Sequence, residues 1–324
     1  MTHAIRIHET GGPEVLRWEA VEVGTPGAGE CRVRHTAVGL NYIDIYYRTG
    51  LYKTPLPFTP GFEAAGVIEA VGAGVTDLAV GDRVAYANGP LGAYSEARLM
   101  PADRLVKIPA GISDQQAAAM MLQGMTAQYL LRRTYKVQKG DTLLVHAAAG
   151  GVGLILCQWA KHLGATVIGT VSSDEKAALA KANGCDYPVV YTREDFQQRV
   201  MEITDGRKVP VVYDSVGVDT FAKSLDCLAP LGMMVLYGQA SGPVPPFDLG
   251  TLAAKGSLFI TRPTLFSYAA SRSDLLATAQ DLFDVVGSGV VKIAVNQTYA
   301  LRDAADGQRD LTARKTTGST VFIV

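Results

Sequence analysis

The sequence predicts an α/β protein made of a β-barrel-like domain joined to a doubly wound parallel sheet. Three observations predict it. The early segments are short, alternating and separated by Gly- and Pro-rich turns. From Asp141 onward, short apolar strands alternate with helical stretches. At the join, the run Leu143 to Gly153 passes from an apolar strand through a small-residue turn into an apolar segment of helical character, Leu154 to Leu163.

Along the chain, Cys31–Val38, Ala65–Val71 and Asp82–Tyr86 read as half-buried strands. Gly11-Gly12-Pro13, Pro26-Gly27-Ala28-Gly29 and Pro60-Gly61 mark the turns between them. Near Ser113 the pattern turns helical, and Ala117 to Leu131 is one long apolar segment. Strands are expected over 142–146, 166–171, 188–191, 210–214 and 232–237, with helices between. A Pro-containing stretch follows Leu258, then a helix near Ser271–Gly287, then short strands ending at Val321–Val324 that return to the first domain. The expected division is 1–124 with 262–324 for the first domain, and 125–261 for the second. There is no internal repeat or low-complexity tract.

The 324 residues suffice for two cores, and 48% hydrophobic content is ordinary for a globular protein. A net charge of −1 gives no electrostatic support for nucleic-acid or acidic-membrane binding. The four cysteines, Cys31, Cys157, Cys185 and Cys227, are far apart with no C-x-x-C, which argues against structural zinc and a disulfide framework. Cys157 and Cys227 sit in apolar segments and read as buried thiols. The N-terminus lacks a signal-peptide pattern, and no run of about 18 apolar residues could span a bilayer. A soluble, cytoplasmic protein is expected.

Ala148-x-Gly150-x-x-Gly153 is a dinucleotide-binding fingerprint with Ala at its first position. Gly150 would let the backbone approach a pyrophosphate, and Gly153 would let the helix pack close to the strand. The helix N-terminus would offer N–H groups and a positive dipole end. A Gly-rich turn in a buried core has the same pattern. The next strand, Ala165–Val171, ends in Ser172-Ser173-Asp174-Glu175-Lys176. An NAD site usually carries a carboxylate at this strand end, where Val171 and Ser172 stand. Ser172 can donate a hydrogen bond and Lys176 can supply charge, which suits NADP(H) better than NAD(H). The alternative is an ordinary helix cap, with Ser172 or Ser173 opening the helix and Lys176 solvated. Asp214 ends a strand and reads as structural or capping; His146 reads as core.

Several landmarks carry a family resemblance: Ala37–Asp44, Pro60–Gly66, Val80–Val84, Ala147–Gly153, Gly238–Gly242 and Arg262–Leu265. In order and spacing the chain resembles the zinc-independent quinone oxidoreductases, the ζ-crystallin-like branch of the medium-chain dehydrogenase/reductase superfamily. The resemblance covers the whole length. It implies a GroES-like β domain, a Rossmann domain, a cofactor lying between them, and a homodimer. The family pairs Rossmann sheets edge to edge, for which Leu231–Tyr237 or the segment near Leu258 are the candidates. Zinc alcohol dehydrogenases of the superfamily hold their metal with Cys, His and Cys. Asn41, Phe62 and Gln123 stand at those positions, so no metal site is expected.

The resemblance also assigns residues. It implies NADPH contacts from Ala149, Gly150, Gly151, Val152 and Gly153, and from Tyr191 against the 2′-phosphate beside Ser172 and Lys176. It implies further contacts from Gln123 and Thr126, expected to begin the helix that crosses between the domains, and from Gly217, Gly238, Gln239, Ser241, Phe266, Arg314 and Lys315. Asn41, Tyr46 and Tyr52, with Asp44, fall in or after the loop that the family places over the nicotinamide. Asn41 would bond the cofactor, and the two tyrosines would shape an aromatic slot for a flat quinone. Alternatives stay open: a half-buried strand-end Tyr191, a surface aromatic cluster of Tyr42, Tyr46, Tyr47 and Tyr52, core packing for Phe266, and a solvated Arg314-Lys315 pair. The implied activity is NADPH-dependent quinone reduction by hydride or one-electron transfer. Rivals are an enone or alkenal reductase and an NADPH-binding structural or AU-rich RNA-binding protein.

Overall fold

The computed structural model describes residues 2–324. The chain divides into two compact units. One comprises residues 1–125, 269–287 and 293–324, and the other residues 126–268 and 288–292. The second unit thus runs seven residues past the Thr261 end expected above and takes back a five-residue piece.

The first unit is built on Glu30–Leu40, which is long enough to serve three neighbours. It pairs antiparallel with Ser319–Ile323, Ala64–Val71 and Ala97–Pro101. Register shifts at Arg32/Val33 and His35/Ala37 bend it, as bulges do where a sheet must curl. The sheet order is Val295–Ala300, Ser319–Ile323, Glu30–Leu40, Ala64–Val71, Arg83–Tyr86, Val106–Lys107. The C-terminal strand therefore returns to the first unit. Alternate side chains of these strands, among them Val33, Val38, Ile68, Val84, Tyr86 and Phe322, form one buried core. His35 lies in it, bonded through Nδ1 to the Ser95 carbonyl at 2.6 Å and through Nε2 to Tyr86 Oη at 2.9 Å. Burial holds its pKa down at about 3.

The second unit carries a six-stranded, all-parallel sheet. Its order is Tyr187–Val190, Thr166–Val171, Thr142–Val145, Val209–Asp214, Leu228–Leu236, Phe259–Thr261. Numbered by chain position within the unit, that is 3-2-1-4-5-6, the doubly wound order with its switch point between the first and fourth strands. The inner strands Thr142–Val145, Thr166–Val171 and Val209–Asp214 are buried on both faces and so read as apolar runs. The order corrects one expectation: Leu228–Leu236 is an interior strand, so Leu231–Tyr237 cannot serve as a sheet edge. The edge on that side is Phe259–Thr261, next to the Leu258 segment, and the opposite edge is Tyr187–Val190.

The helix that follows the first of these strands, Gly151–His162, packs against it because residue 153 is glycine. A Cβ there would lie 2.3 Å from the Ala147 carbonyl oxygen and 2.8 Å from Ala148 Cα. At Gly150 the same test gives 3.3 Å to Ala147 O, a milder pinch. Gly153→Ala should therefore cost about 2 kcal/mol of stability, read from the denaturant midpoint. An unchanged midpoint would mean that the helix shifts freely.

Candidate functional site

In the second unit, three strand ends at the switch point assemble a small-residue cradle. After Val145 the chain turns through Ala147, whose φ of 55° is left-handed. It enters the helix at Gly150, the N-cap, with no side-chain cap. Ala148 and Ala149 are buried, whereas Gly150, Gly151 and Val152 are half-buried. The first-turn N–H groups, with the helix dipole behind them, make an anion-binding end.

Asp214 shapes the neighbouring loop, as expected of a capping residue. Its Oδ1 accepts from Val216 N–H at 2.7 Å and Gly217 N–H at 3.2 Å, and its Oδ2 from Thr220 Oγ1 at 2.7 Å. Gly217 (φ 100°) has room for no Cβ, since Gly242 O would lie 2.5 Å away, and Gly238 is pressed to 2.6 Å from Ser215 O in the same sense. The Ser241 hydroxyl closes this loop, donating to Val216 O at 2.8 Å and accepting from Asp219 N–H at 3.1 Å. Gln239 stands between Gly238 and Ala240 on the same loop. His146 is core: its ring nitrogens meet Thr170 Oγ1 and Ser224 Oγ, both at 2.9 Å, and burial lowers its pKa. Phe266 is exposed, contrary to core packing.

A second corner lies where Thr166–Val171 and Tyr187–Val190 end side by side. Tyr191 N–H donates to Val171 O at 3.0 Å and Thr192 Oγ1 to Ser172 O at 3.3 Å, so Ser172 and Tyr191 are neighbours. Ser173, rather than Ser172, caps the next helix, its Oγ accepting from Lys176 N–H at 3.3 Å. That leaves the Ser172 hydroxyl outside the cap and puts Lys176 in the helix's first turn. The corner also holds a carboxylate the strand-end rule overlooks, Asp174. Arg193 pairs with it bidentately at 2.7 and 2.5 Å. Arg193 lies 19 positions on, and only the parallel strand pairing brings it there.

In the first unit, Asn41 opens the helix Tyr42–Arg48. Asp44 and Tyr46 are therefore helical and buried rather than on a loop, while Tyr52 follows the helix and is half-buried. The aromatic rings form a chain: Tyr42–Tyr46 at 5.5 Å, Tyr46–Tyr52 at 5.2 Å, Tyr52–Tyr47 at 5.5 Å and Tyr47–Phe62 at 5.4 Å. It is anchored inside, not a surface patch.

The three positions that hold metal in zinc relatives come together without metal ligands. Gln123 Nε2 donates to Asn41 Oδ1 at 3.1 Å, and Asn41 Nδ2 donates to Glu63 Oε2 at 2.6 Å. Ser319 Oγ lies 2.6 Å from Gln123 Oε1 and 2.9 Å from Ala119 O. Phe62 is occupied with Tyr47. Among the described residues no group of three or more His, Cys, Asp or Glu is placed to hold a metal ion. Gln123 and Thr126 do not begin their helix, as expected above. It starts at Asp114 and they lie in its second half, because the helical pattern already begins in the small-residue stretch before them. Arg314 and Lys315 belong to the first unit, where Lys315 Nζ pairs with Asp310 at 3.4 Å.

Sequence reasoning missed Glu63 and the Asp44 cluster, since a lone acid carries no periodic signal. Asp44 Oδ2 accepts from Asn41 N–H and Tyr94 Oη, each at 2.9 Å, and Arg48 Nη1 donates to Gln308 Oε1 at 2.8 Å. Desolvation pushes Glu63 up to about 8, against the hydrogen bonds from Asn41 and Leu122, and Asp44 up to about 7.

The arrangement defines a class: a reductase or dehydrogenase with a doubly wound nucleotide-binding sheet and with two amides and a phenylalanine where zinc relatives hold metal. The model of the zinc-binding dehydrogenase family matches residues 151–294, and that of the alcohol dehydrogenase GroES-like domain residues 27–110. The chain is 54% identical to a quinone oxidoreductase of Pseudomonas aeruginosa over the full length of both. It is 50% identical to a 2-haloacrylate reductase of a Burkholderia species, covering all of this chain and 99% of that one. The structure of Escherichia coli quinone oxidoreductase complexed with NADPH superposes with a TM-score of 0.98 at 47% identity, covering both chains completely. The chain belongs to the quinone oxidoreductase family of the medium-chain dehydrogenases/reductases, and it is an oxidoreductase.

A raised carboxyl pKa has a definite sign for stability. Glu63 holds its proton more tightly folded than unfolded, where its value is the ordinary 4.5. Its contribution is complete below that value and is lost as pH rises through about 8. Between about pH 5 and 8 the native protein should therefore lose stability relative to Glu63→Gln, which has no such proton. Thermal midpoints measured across that range check this; parallel curves for the two proteins would contradict it.

Proposed function

We propose that the chain is an NADPH-dependent, zinc-independent quinone reductase. The observation that carries this reading is the corner at Ser172, Lys176 and Tyr191. It offers a hydroxyl, a lysine and an aromatic ring, and the carboxylate of Asp174 beside them is already paired with Arg193. The uncapped, glycine-fronted helix end at Gly150–Gly153 suits the pyrophosphate. When bound, NADPH supplies the reducing equivalent. The chain's own part is to orient and to exclude water.

Gly217, Gly238, Gln239 and Phe266 would hold the nicotinamide half, with Thr126. Asn41 and Gln123 would bond the cofactor, and Tyr46 and Tyr52 would serve the acceptor as a flat aromatic wall with hydroxyls for a quinone oxygen. With amides where zinc relatives have ligands, nothing in this polar centre acts as a Lewis acid. An acceptor that takes hydride or an electron readily, such as a quinone, needs none. Arg314 would supply positive charge to the cofactor; Lys315 contributes less, being shared with Asp310.

The similarity to a 2-haloacrylate reductase supports a second reading, reduction of an activated alkene on the same scaffold. We further propose a homodimer through the edge strand Phe259–Thr261, whose Phe259 is 56% exposed. The proposed location is the cytoplasm, in keeping with four free, buried cysteines. No helix among the described residues is long and apolar enough to cross a membrane.

NADPH oxidation with 1,4-benzoquinone, 9,10-phenanthrenequinone, 2-haloacrylate and a simple enone tests the function. Quinone turnover supports the first reading, alkene-only turnover supports the second, and no turnover with any acceptor overturns both. Lys176→Ala should raise KM for NADPH about tenfold while leaving that for NADH nearly unchanged. Equal effects on the two cofactors would remove the phosphate role of this corner. Metal analysis of the purified protein should find no stoichiometric zinc; one tightly held zinc per chain would overturn the reading of Asn41, Phe62 and Gln123.

A further inference from the structure

The four side chains Ser319, Gln123, Asn41 and Glu63 form an unbroken buried chain of hydrogen bonds within the first unit. As the bonds stand, every donation runs toward Glu63. Ser319 Oγ–H reaches Gln123 Oε1, Gln123 Nε2 reaches Asn41 Oδ1, and Asn41 Nδ2 reaches Glu63 Oε2. That polarity suits a carboxylate, which only accepts. An amide has the same shape when its oxygen and nitrogen exchange places, so the ends of the chain decide its direction.

Both ends can switch. Glu63 Oε1 is fixed as an acceptor by Leu122 N–H at 2.7 Å, so a proton arriving on Glu63 must sit on Oε2, facing Asn41. At the other end, Ser319 has a single hydroxyl hydrogen and two acceptors in reach, Gln123 Oε1 and the Ala119 carbonyl at 2.9 Å. The reverse chain is therefore complete. Glu63 O–H donates to Asn41 Oδ1, Asn41 Nδ2 to Gln123 Oε1, Gln123 Nε2 to Ser319 Oγ, and Ser319 Oγ–H to Ala119 O. One proton enters from solvent, and the turning Asn41 amide gives up the contact that its oxygen makes with the Asp44 N–H in the capping box. In either direction the Asp44 N–H keeps the Asn41 backbone carbonyl as acceptor, at 3.0 Å, so the reversal strands no donor.

We propose that Glu63 is a positioning residue whose protonation reverses the hydrogen-bond chain through Asn41, Gln123 and Ser319. The two amides turn over together, and each then presents its opposite edge to whatever approaches it. The consequence for turnover rests on the reading above that Asn41 and Gln123 bond the cofactor; the reversal itself does not. The charged group that acts on Glu63 through space is Asp44, whose carboxyl accepts from the Asn41 backbone N–H and is not a member of the chain. Asp44 is thus a separate titration, and replacing Glu63 separates the two.

The test follows the side-chain ¹⁵N–¹H signals of Asn41 and Gln123 and the ¹³C carboxyl signal of Glu63 in the full-length protein, without NADPH or acceptor, across about pH 6 to 10. In the native protein all three should move with one shared midpoint, near 8. In Glu63→Gln, the Leu122 N–H fixes the new amide oxygen and leaves its nitrogen to donate to Asn41. That variant should therefore hold the low-pH amide pattern at every pH. Amide signals that stay fixed while the Glu63 carboxyl titrates would overturn the proposal in the native protein alone. So would amide signals that still titrate in the variant. Because no acceptor is present, a protein that shows the shared midpoint yet turns over no quinone would refute the functional reading and leave this one standing.

Discussion

Everything on the nucleotide side depends on how closely one helix can approach one strand. The helix Gly151–His162 reaches the turn after Thr142–Val145 only because residue 153 has no Cβ to meet the Ala147 carbonyl. That contact aims the helix N-terminus out of the sheet's carboxyl edge, where the loops at Gly217 and Gly238 are also squeezed to glycine. Three close approaches at neighbouring strand ends clear a floor of backbone. A floor without side chains is what a phosphate needs in order to lie against N–H groups.

The barrel side solves a different problem. Zinc relatives put a metal at its polar centre; here the same positions hold two amides and a phenylalanine. The amides satisfy one another and Glu63, so the centre stays buried and polar without an ion. Its cost is a carboxyl held in low dielectric, which is why Glu63 and Asp44 both resist ionisation. Polar groups so placed favour one arrangement of neighbours over others. In this chain they join four distant segments, at residues 41, 63, 123 and 319.

Much of this was legible in the sequence, because it depends on local pattern. The inner parallel strands announce themselves as apolar runs, and the Ala148-x-Gly150-x-x-Gly153 spacing reports a steric fact that the structure repeats. The lack of metal ligands at Asn41, Phe62 and Gln123 was equally plain. Tertiary pairings were not. Arg193 reaches Asp174 only across two parallel strands, and Glu63 gains its role from Leu122 and Asn41, both distant along the chain. The strand order made Leu231–Tyr237 interior, and no periodicity in that segment distinguishes an edge from a centre. Asp44 and Tyr46 read as loop residues because a seven-residue helix is too short to show an amphipathic repeat.

The central claim is that the second unit selects NADPH through the corner at Ser172, Lys176 and Tyr191. The most direct measurement is calorimetric titration of the native protein with NADPH and with NADH in one buffer. The account predicts NADPH tighter by about tenfold or more, a margin that one charge-assisted phosphate contact supplies. Equal affinities, or tighter binding of NADH, would contradict it.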